Sequence, residues 1–513
     1  MRVSSLIDTL VNRNVERRLA HRDPRVIVIG AGAGGLAAAA DLARQGAVVT
    51  VMERAAAAGG KIRQIDGIDA GPTVLTMRFV LDALFADAGE TFARQVALRP
   101  AEVLARHTWS ETERLDLFAD PRRSEDAIAR FAGPGEARAY AAFRRRAARV
   151  WEALEDGFIR APRPTPVSLA RDAGLRGLGG LLSIAPFSTL WRALGEHFRD
   201  ERLRQLFGRY ATYSGSSPFL SPATLMLIAH VEQAGVWLVE GGMIRLAEAI
   251  AALATRHGAT IRTGVEVAGI AVRAGSVSGV RTADGETLDA DAVILNGDSA
   301  ALAAGLFGAP AARAAASTPG ERSLSAVTWT IRAATAGFPL TRHNVFFSRG
   351  YQAEFDAILR HGQLPAEPTV YVCAQDRDAT ETASHAGAER LLLLVNAPPT
   401  GDRRRFTATE IEQCTTRMLD RLRRCGLTAD AAWEPRTITT PNDFAALFPA
   451  TGGALYGRAV HGTMAAFRRP AARTAIAGLY LAGGSVHPGP GVPMAILSGR
   501  LAASALLEDR ISR

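Results

Sequence analysis

An α/β fold built on a parallel sheet is predicted by three features: an apolar β-branched run ending in a glycine-rich turn, an alanine-rich segment behind it, and a second apolar run closed by an acid. The first is Val26-Ile-Val-Ile-Gly30-Ala-Gly32-Ala-Gly34-Gly35, whose continuous apolar character suits a strand covered on both faces. Gly30, Gly32 and Gly35 fit the spacing G-x-G-x-x-G. The first glycine permits a tight turn, the second lets backbone approach a pyrophosphate, and the third lets helix pack on strand. Leu36 to Arg44 is rich in alanine, and a helix there offers its N-terminal N–H groups and positive dipole end to the turn. Gly46 ends that helix. Ala47-Val-Val-Thr-Val-Met52 is the second strand, and Glu53 at its carboxyl end is placed to accept hydrogen bonds from ribose hydroxyls. Strand, turn, helix, strand and acid in this order read as a dinucleotide site.

The pattern continues past the acid. Glu53-Arg54 leads through an alanine run to Gly59-Gly60-Lys61-Ile62-Arg63. This extension resembles the FAD-binding flavoproteins of the amine oxidase and carotenoid desaturase superfamily, whose pattern adds E-R and then G-G-[RK] to the Rossmann-type unit. The resemblance implies FAD as cofactor, with Arg54, Gly60 and Lys61 near its pyrophosphate and ring. Lys61 is the only lysine among 60 basic residues, so the bias toward arginine spared this position. A compact ammonium suits a crowded site better than a guanidinium fork.

Ile68-Asp-Ala-Gly71-Pro-Thr73-Val-Leu-Thr76-Met77 reads as a short strand and turn, and Phe79 to Asp87 as a helix. Ala93 to Arg149 is charge-rich and mostly helical in pattern, a cap packed away from the nucleotide. Ala161-Pro-Arg-Pro-Thr-Pro166 is a stiff linker. The glycine-broken apolar stretch Leu175 to Phe187 suits a membrane interface, a tunnel wall or a buried helix pair. Val236-Trp-Leu-Val-Glu240-Gly241-Gly242-Met243 precedes a helix from Ile244 to His257, and Thr260 to Ile270 contains a G-V-E-V strand. This segment resembles the one that returns to the FAD sheet in the same superfamily, where the residue matching Val267 gives backbone contacts to adenine. Val277, Val280 and Ala292-Val293-Ile294-Leu295 mark further strands, the last closed by Asn296-Gly-Asp298. Ala326-Ile331, Thr369-Cys373 and Leu391-Val395 read as strands of a second sheet, and Glu410 to Leu422 as a helix. Near the end, a short strand runs into Ala482-Gly483-Gly484-Ser485-Val486-His487-Pro488-Gly489-Pro490-Gly491-Val492-Pro493-Met494 and a final helix, Ala495 to Leu507.

That last motif closely resembles the C-terminal flavin-binding motif of bacterial carotenoid desaturases, and places Gly483, Gly484, Val492, Pro493 and Met494 at the cofactor. Many relatives carry an acid where Gly484 stands, a contact here absent or supplied by Ser485. The likeness runs from Arg25 to Glu508. Asp69 to Met77, Tyr210 to Phe219 and Ala234 to Met243 are similar to the hydroxyneurosporene (methoxyneurosporene) desaturases, the 1-hydroxycarotenoid 3,4-desaturases. It implies an α/β (α+β) architecture in which 26–88, 232–299 and 471–513 form a discontinuous Rossmann-type FAD domain. Segments 89–231 and 300–470 then form a mixed-sheet and helical substrate domain, and 1–25 a leader.

The chemistry implied is loss of a hydride and a proton from adjacent carbons beside a conjugated polyene, in an apolar tunnel with no metal. The polyene spreads the developing charge, so a general base is optional and none is assigned. His487 before proline and Glu240 at a helix start read as structural. A substrate hydroxyl needs a buried partner, for which Tyr210, Thr212, Tyr213 and Ser214 stand equal. Alternatives are phytoene desaturation, a flavin amine oxidase (although no cysteine follows Cys425 for a covalent link), a saturase or isomerase using reduced flavin, and a non-enzymatic prenyl-lipid carrier.

A net charge of +9 raises the question of nucleic acid, but the arginine clusters lack interleaved aromatics, so an anionic membrane surface and solvated faces account for it better. Three cysteines without a C-x-x-C pair fit a reducing compartment and exclude a disulfide framework. With no evident export signal in Met1 to Arg25 and no uninterrupted span of about twenty apolar residues, the expectation is a cytoplasmic protein held peripherally at the inner membrane. Oligomeric state is open.

Overall fold

The computed structural model describes residues 23–169, 171, 188–315, 320–429, 433 and 436–511. Most of the expected leader, and the glycine-broken stretch Leu175 to Phe187, lie outside them. Arg25, expected at the leader's end, already begins the first strand.

The apolar runs form a five-stranded sheet, all parallel. Arg25–Ile29 is central, between Val48–Glu53 and Ala292–Leu295, with Thr260–Thr263 and Leu479–Leu481 at the edges. Alternation sorts its two faces. Val26, Val28, Val49 and Val51 meet a helical layer, whereas Ile27, Ile29 and Met52 meet an antiparallel meander, Val267–Arg273, Ser276–Thr282 and Thr287–Asp289. The helical layer is Ala33–Ala43 with Ile244–Arg256 and Val492–Ile511 against it. All eleven residues of Ala33–Ala43 are buried, which small side chains allow on every face. The helix starts inside the glycine turn, three residues earlier than Leu36. Val492–Ile511 also starts three residues early, because Pro493 in the first turn has no N–H that a helix would need.

A seven-stranded sheet lies beyond, in the order Arg436–Thr439, Ser325–Ala333, Glu389–Ala397, Val370–Ala374, His343–Phe346, Val103–Thr108, Arg114–Phe118. Its pairs are antiparallel except His343–Phe346 with Val103–Thr108. The three strands expected here are present, the first and third longer at both ends and the second shifted by one residue. The expectation of mostly helix from Ala93 to Arg149 is corrected: after the short helix Phe92–Gln95, Leu98–Pro100, Val103–Thr108 and Arg114–Phe118 are strands, and helix resumes only at Pro121. Pairing with His343–Phe346, more than 200 residues away, overrides the local charge pattern. Leu391, Leu393 and Val395 pack toward helix Ala408–Arg424, while Leu392, Leu394 and Asn396 face a cavity. Period-two alternation thus turns one side of the sheet into core and the other into a chamber wall. Helices Pro121–Ala132, Pro134–Leu154, Leu190–His197 and Glu201–Gly208 build a separate aromatic core around Phe143, Phe198 and Phe207.

The crossing of Val492–Ile511 over Ala33–Ala43 depends on a glycine: a Cβ on Gly499 would fall 2.0 Å from the Gly34 carbonyl oxygen. Gly499→Ala should therefore lower the midpoint of thermal unfolding by about 1–3 °C. Gly135→Ala, where a Cβ meets nothing within 4 Å, should leave it unchanged or slightly raised. Circular dichroism melts of both variants check this.

Candidate active site

The site is organised by Asn296, at the carboxyl end of strand Ala292–Leu295. Its Nδ2 donates to the Gly30 carbonyl at 3.1 Å. A Cβ on Gly34 or Gly483 would lie 2.8 Å from its Oδ1, and one on Gly32 2.9 Å from its Nδ2. One amide side chain therefore occupies space vacated by glycines from two segments 450 residues apart, and Gly34 comes within contact of Gly483. The second glycine pair docks on the same turn: the Gly59 N–H donates to the Ala31 carbonyl at 2.9 Å, and Gly60 lies against Gly32. Gly35 faces inward, where a Cβ would meet the Gly30 carbonyl at 2.2 Å. It serves helix-to-strand packing and does not line the cavity.

A cavity of about 1160 Å³ opens from this junction, above the roughly 300–1,000 Å³ usual for one small ligand. Gly30, Gly32, Glu53, Arg54, Gly60, Lys61, Val267, Gly483, Gly484, Val492, Pro493 and Met494 all line it, as does Ser485. The N-termini of Ala33–Ala43 and Val492–Ile511 both open onto it, two positive dipole ends at one place. The buried Glu53 carboxylate accepts from the Ala31 N–H at 2.8 Å and the Ala55 N–H at 2.9 Å, so it braces the turn and keeps lone pairs for ribose hydroxyls. Arg54 donates outward to the carbonyls of Ala446 and Leu447. Gly484 has room: a Cβ there would come no nearer than 3.5 Å to Pro490, so space does not forbid an acid. Ser485 donates to the Gly297 carbonyl at 3.3 Å.

Two cations, the half-buried Lys61 and the buried Arg469, mark the junction. Lys61 donates from Nζ to the Leu455 carbonyl at 2.5 Å and lies over the Phe448 ring. Arg469 donates to the carbonyls of Tyr456, Gly484 and Arg458. Burial lowers the Lys61 ammonium from its ordinary value and brings Arg469 down to about 10, with Asp298 partly opposing both. Among the described residues neither forms an ion pair, so an anionic group entering the cavity would relieve both. Glycines that clear backbone, two helix N-termini and two unneutralised cations together fit the pyrophosphate and ring of an FAD.

The rest of the cavity wall is largely apolar, formed by Phe158, Ile159, Leu225, Ile228, Leu394 and Phe467, with a polar group at Arg209, Tyr213 and Tyr371. Of the hydroxyl candidates, Tyr213 belongs to that group. Thr212 and Ser214 line the cavity but spend their protons on the Arg209 and Ala211 carbonyls. Tyr210 is not in the lining and donates to Glu232. His487 is held by the Ala161 carbonyl at 2.9 Å and the Phe158 ring, and burial drops it to about 4, a neutral structural group. Glu240 is half exposed and paired with Arg99 at 3.2 Å. Asn296 and Arg469 escaped sequence reasoning, since a turn asparagine and one arginine among many carry no local signal. Glu354 escaped it too. It lines the cavity, is buried, receives Thr369 Oγ1 at 2.7 Å and Ser348 Oγ at 3.1 Å on Oε2, and has no partner for Oε1 among the described residues.

This arrangement defines a class, a flavin-dependent oxidoreductase whose cofactor end opens directly into an apolar substrate chamber. The model of the flavin-containing amine oxidoreductases matches residues 33–507, and the chain belongs to that family, with FAD as its cofactor. It is 55% identical over 494 residues to a hydroxyneurosporene desaturase of Rubrivivax gelatinosus, covering 95% of this chain and 94% of the relative. It is 45% identical to the enzyme of that name from Cereibacter sphaeroides, covering 96% and 99%. A 4,4'-diapolycopene oxygenase of Methylomonas is 30% identical, covering 94% and 98%. A cyclohexylamine oxidase of Brevibacterium oxydans shares the fold at a TM-score of 0.54 and 18% identity, covering 96% and 100%.

Burial raises the Glu354 carboxyl from 4.5 to about 7. The folded protein therefore favours the protonated acid, a contribution complete below pH 4.5 and lost as pH rises through 7. Glu354→Gln should gain about 2–4 °C in melting temperature over wild type between pH 5 and 8; a gap independent of pH would contradict the assignment.

Proposed function

We propose that this chain is a carotenoid desaturase that introduces the 3,4 double bond into 1-hydroxycarotenoids. The observation that carries the reading is the 55% identity, over nearly the whole of both chains, to a protein named for hydroxyneurosporene desaturation. The chamber agrees. Its sheet wall of Leu392 and Leu394, with Phe158, Ile228 and Phe467 opposite, offers a long hydrocarbon contact and excludes water from the reacting bond.

Bound FAD supplies the acceptor for two electrons and one hydrogen. The remaining tasks fall to the chain. Gly30, Gly32, Gly60, Gly483 and Gly484 leave room for cofactor backbone contacts, Glu53 takes the ribose hydroxyls, and the edge of Val267 meets adenine. Lys61, Arg469 and the helix that starts at Val492, Pro493 and Met494 stabilise negative charge. One C–H bond of the substrate gives up a hydride, the neighbouring carbon gives up a proton, and the polyene spreads the charge between the two events. Glu354, whose carboxyl burial raises to about 7, puts no fixed charge against the hydrocarbon when protonated, below neutral pH.

Cavity-lining Pro166 and Met464 adjoin exposed Val167 and Leu220, an apolar rim on a chain of net charge +9. This supports peripheral contact with an anionic membrane that stores the substrate. Among the described residues no helix is long and apolar enough to cross one. Cys373, Cys414 and Cys425 are free and buried, in keeping with the cytoplasmic side.

Expression in cells that accumulate neurosporene or 1-hydroxyneurosporene should yield a pigment with a longer conjugated system from the hydroxylated compound. Conversion of phytoene would favour phytoene desaturation, and bound FAD without any new pigment would favour a carrier. Lys61→Arg should lower retained flavin or turnover about tenfold, because a guanidinium fork does not fit a site built around one ammonium. Absorbance at the flavin band per mole of protein reads the first, and pigment yield the second.

A further inference from the structure

Deep in the chamber a guanidinium lacks a counter-ion. Among the described residues Arg209 makes one side-chain hydrogen bond, from Nη1 to Tyr213 Oη at 3.2 Å, and rests on the ring faces of Tyr213 and Tyr371. Among the described residues no carboxylate is within ion-pair distance of it. Glu232, the acid behind it, already takes the Tyr213 hydroxyl at 3.0 Å and that of Tyr210. A half-buried cation with unused donors facing an apolar chamber is costly unless an acceptor reaches it.

The neighbouring hydroxyls are spoken for. Tyr213 gives its proton to Glu232 and its lone pair to Arg209. The Tyr371 hydroxyl lies 2.7 Å from Thr73 Oγ1 and 2.8 Å from His343 Nδ1. The free valences of this lining are the N–H groups of Arg209 together with Tyr351 Oη and Glu354 Oε1, which have no partner among the described residues; of these only the guanidinium is a cation, and its N–H groups suit an oxygen lone pair.

The spot is also close to the cofactor end. The Leu455 carbonyl holds Lys61 at 2.5 Å, the Tyr456 carbonyl holds Arg469 at 3.2 Å, and the Tyr456 ring abuts Gly215, one residue past Ser214. Arg209, Tyr456, Lys61 and Arg469 all line one cavity, so the guanidinium and the flavin-side cations face the same space. In a 1-hydroxycarotenoid the oxygen-bearing carbon is two bonds from C3, so an oxygen anchor in the chamber that receives the flavin would present the C3–C4 bond rather than one further along the chain.

We propose that Arg209, seated on Tyr213 and Tyr371, is the specificity-determining residue that binds the substrate's terminal oxygen and sets which bond meets the flavin. This rests on the hydroxycarotenoid reading above. A hydrocarbon end leaves the guanidinium unsatisfied, whereas a hydroxyl replaces the water it must shed.

The test compares purified wild type and Arg209→Met on 1-hydroxyneurosporene and on neurosporene in detergent micelles, with flavin absorbance as the check on folding. Wild type should favour the alcohol, and the variant should lose about 10- to 100-fold in kcat/KM on it while keeping or gaining on the hydrocarbon. If Arg209→Met holds no flavin, Arg209→Gln, which keeps two donors without charge, should show the same loss of preference in smaller measure. A variant that keeps the wild-type preference, or loses both substrates equally, overturns the anchor and leaves the desaturase reading standing. Wild type that forms no double bond in either pigment overturns the desaturase reading itself.

Discussion

The structure depends on a space rather than on a bond. At the carboxyl end of the parallel sheet, Asn296 fills a volume that Gly30, Gly32, Gly34, Gly35 and Gly483 leave empty. Side chains at those positions would push apart the dinucleotide turn, strand Ala292–Leu295 and the loop before the last helix. Without that approach the two helix N-termini would not open on one cavity, and Lys61 and Arg469 would not share an electrostatic environment. A hydrogen bond of ordinary strength, Asn296 to the Gly30 carbonyl, locks an arrangement that close packing of glycines makes available.

The second sheet converts the same elementary rule into a substrate wall. Alternate residues of Glu389–Ala397 serve helix Ala408–Arg424 on one side and the chamber on the other, so a single strand carries both stability and specificity. Charges in the chamber are few. Where one occurs it is suppressed, as at Glu354, or left seeking a partner, as at Arg209. Many surface arginines, by contrast, pair with acids, as Arg256 does with Glu90 and Arg262 with Glu286.

The cofactor half was largely legible in the sequence, because its chemistry requires specific residue types at fixed local spacings. Gly30, Gly32, Glu53, Gly60 and Gly483 declare themselves within segments of a few tens of residues. Three things were not legible. Strands Val103–Thr108 and Arg114–Phe118 depend on a partner from a distant part of the chain, and their local charges read as helix. Asn296 gains its role from glycines brought together only by folding. Arg209 and Glu354 look like any other charged residues until burial separates them from water and from counter-ions. Among the four hydroxyls that sequence treated as equals, the structure sets Tyr213 apart through its contact with Arg209 and Glu232.

The shared space around Asn296 is tested most directly by FAD affinity, measured by titration of the apoprotein, for Asn296→Leu, Gly483→Ala and the double variant. If both residues serve one junction, each single change should weaken binding about tenfold or more, and the double variant should be far better than the sum of the two losses. Strictly additive losses, or an Asn296→Leu protein that binds FAD as tightly as wild type, would show that the two glycine segments do not depend on one another.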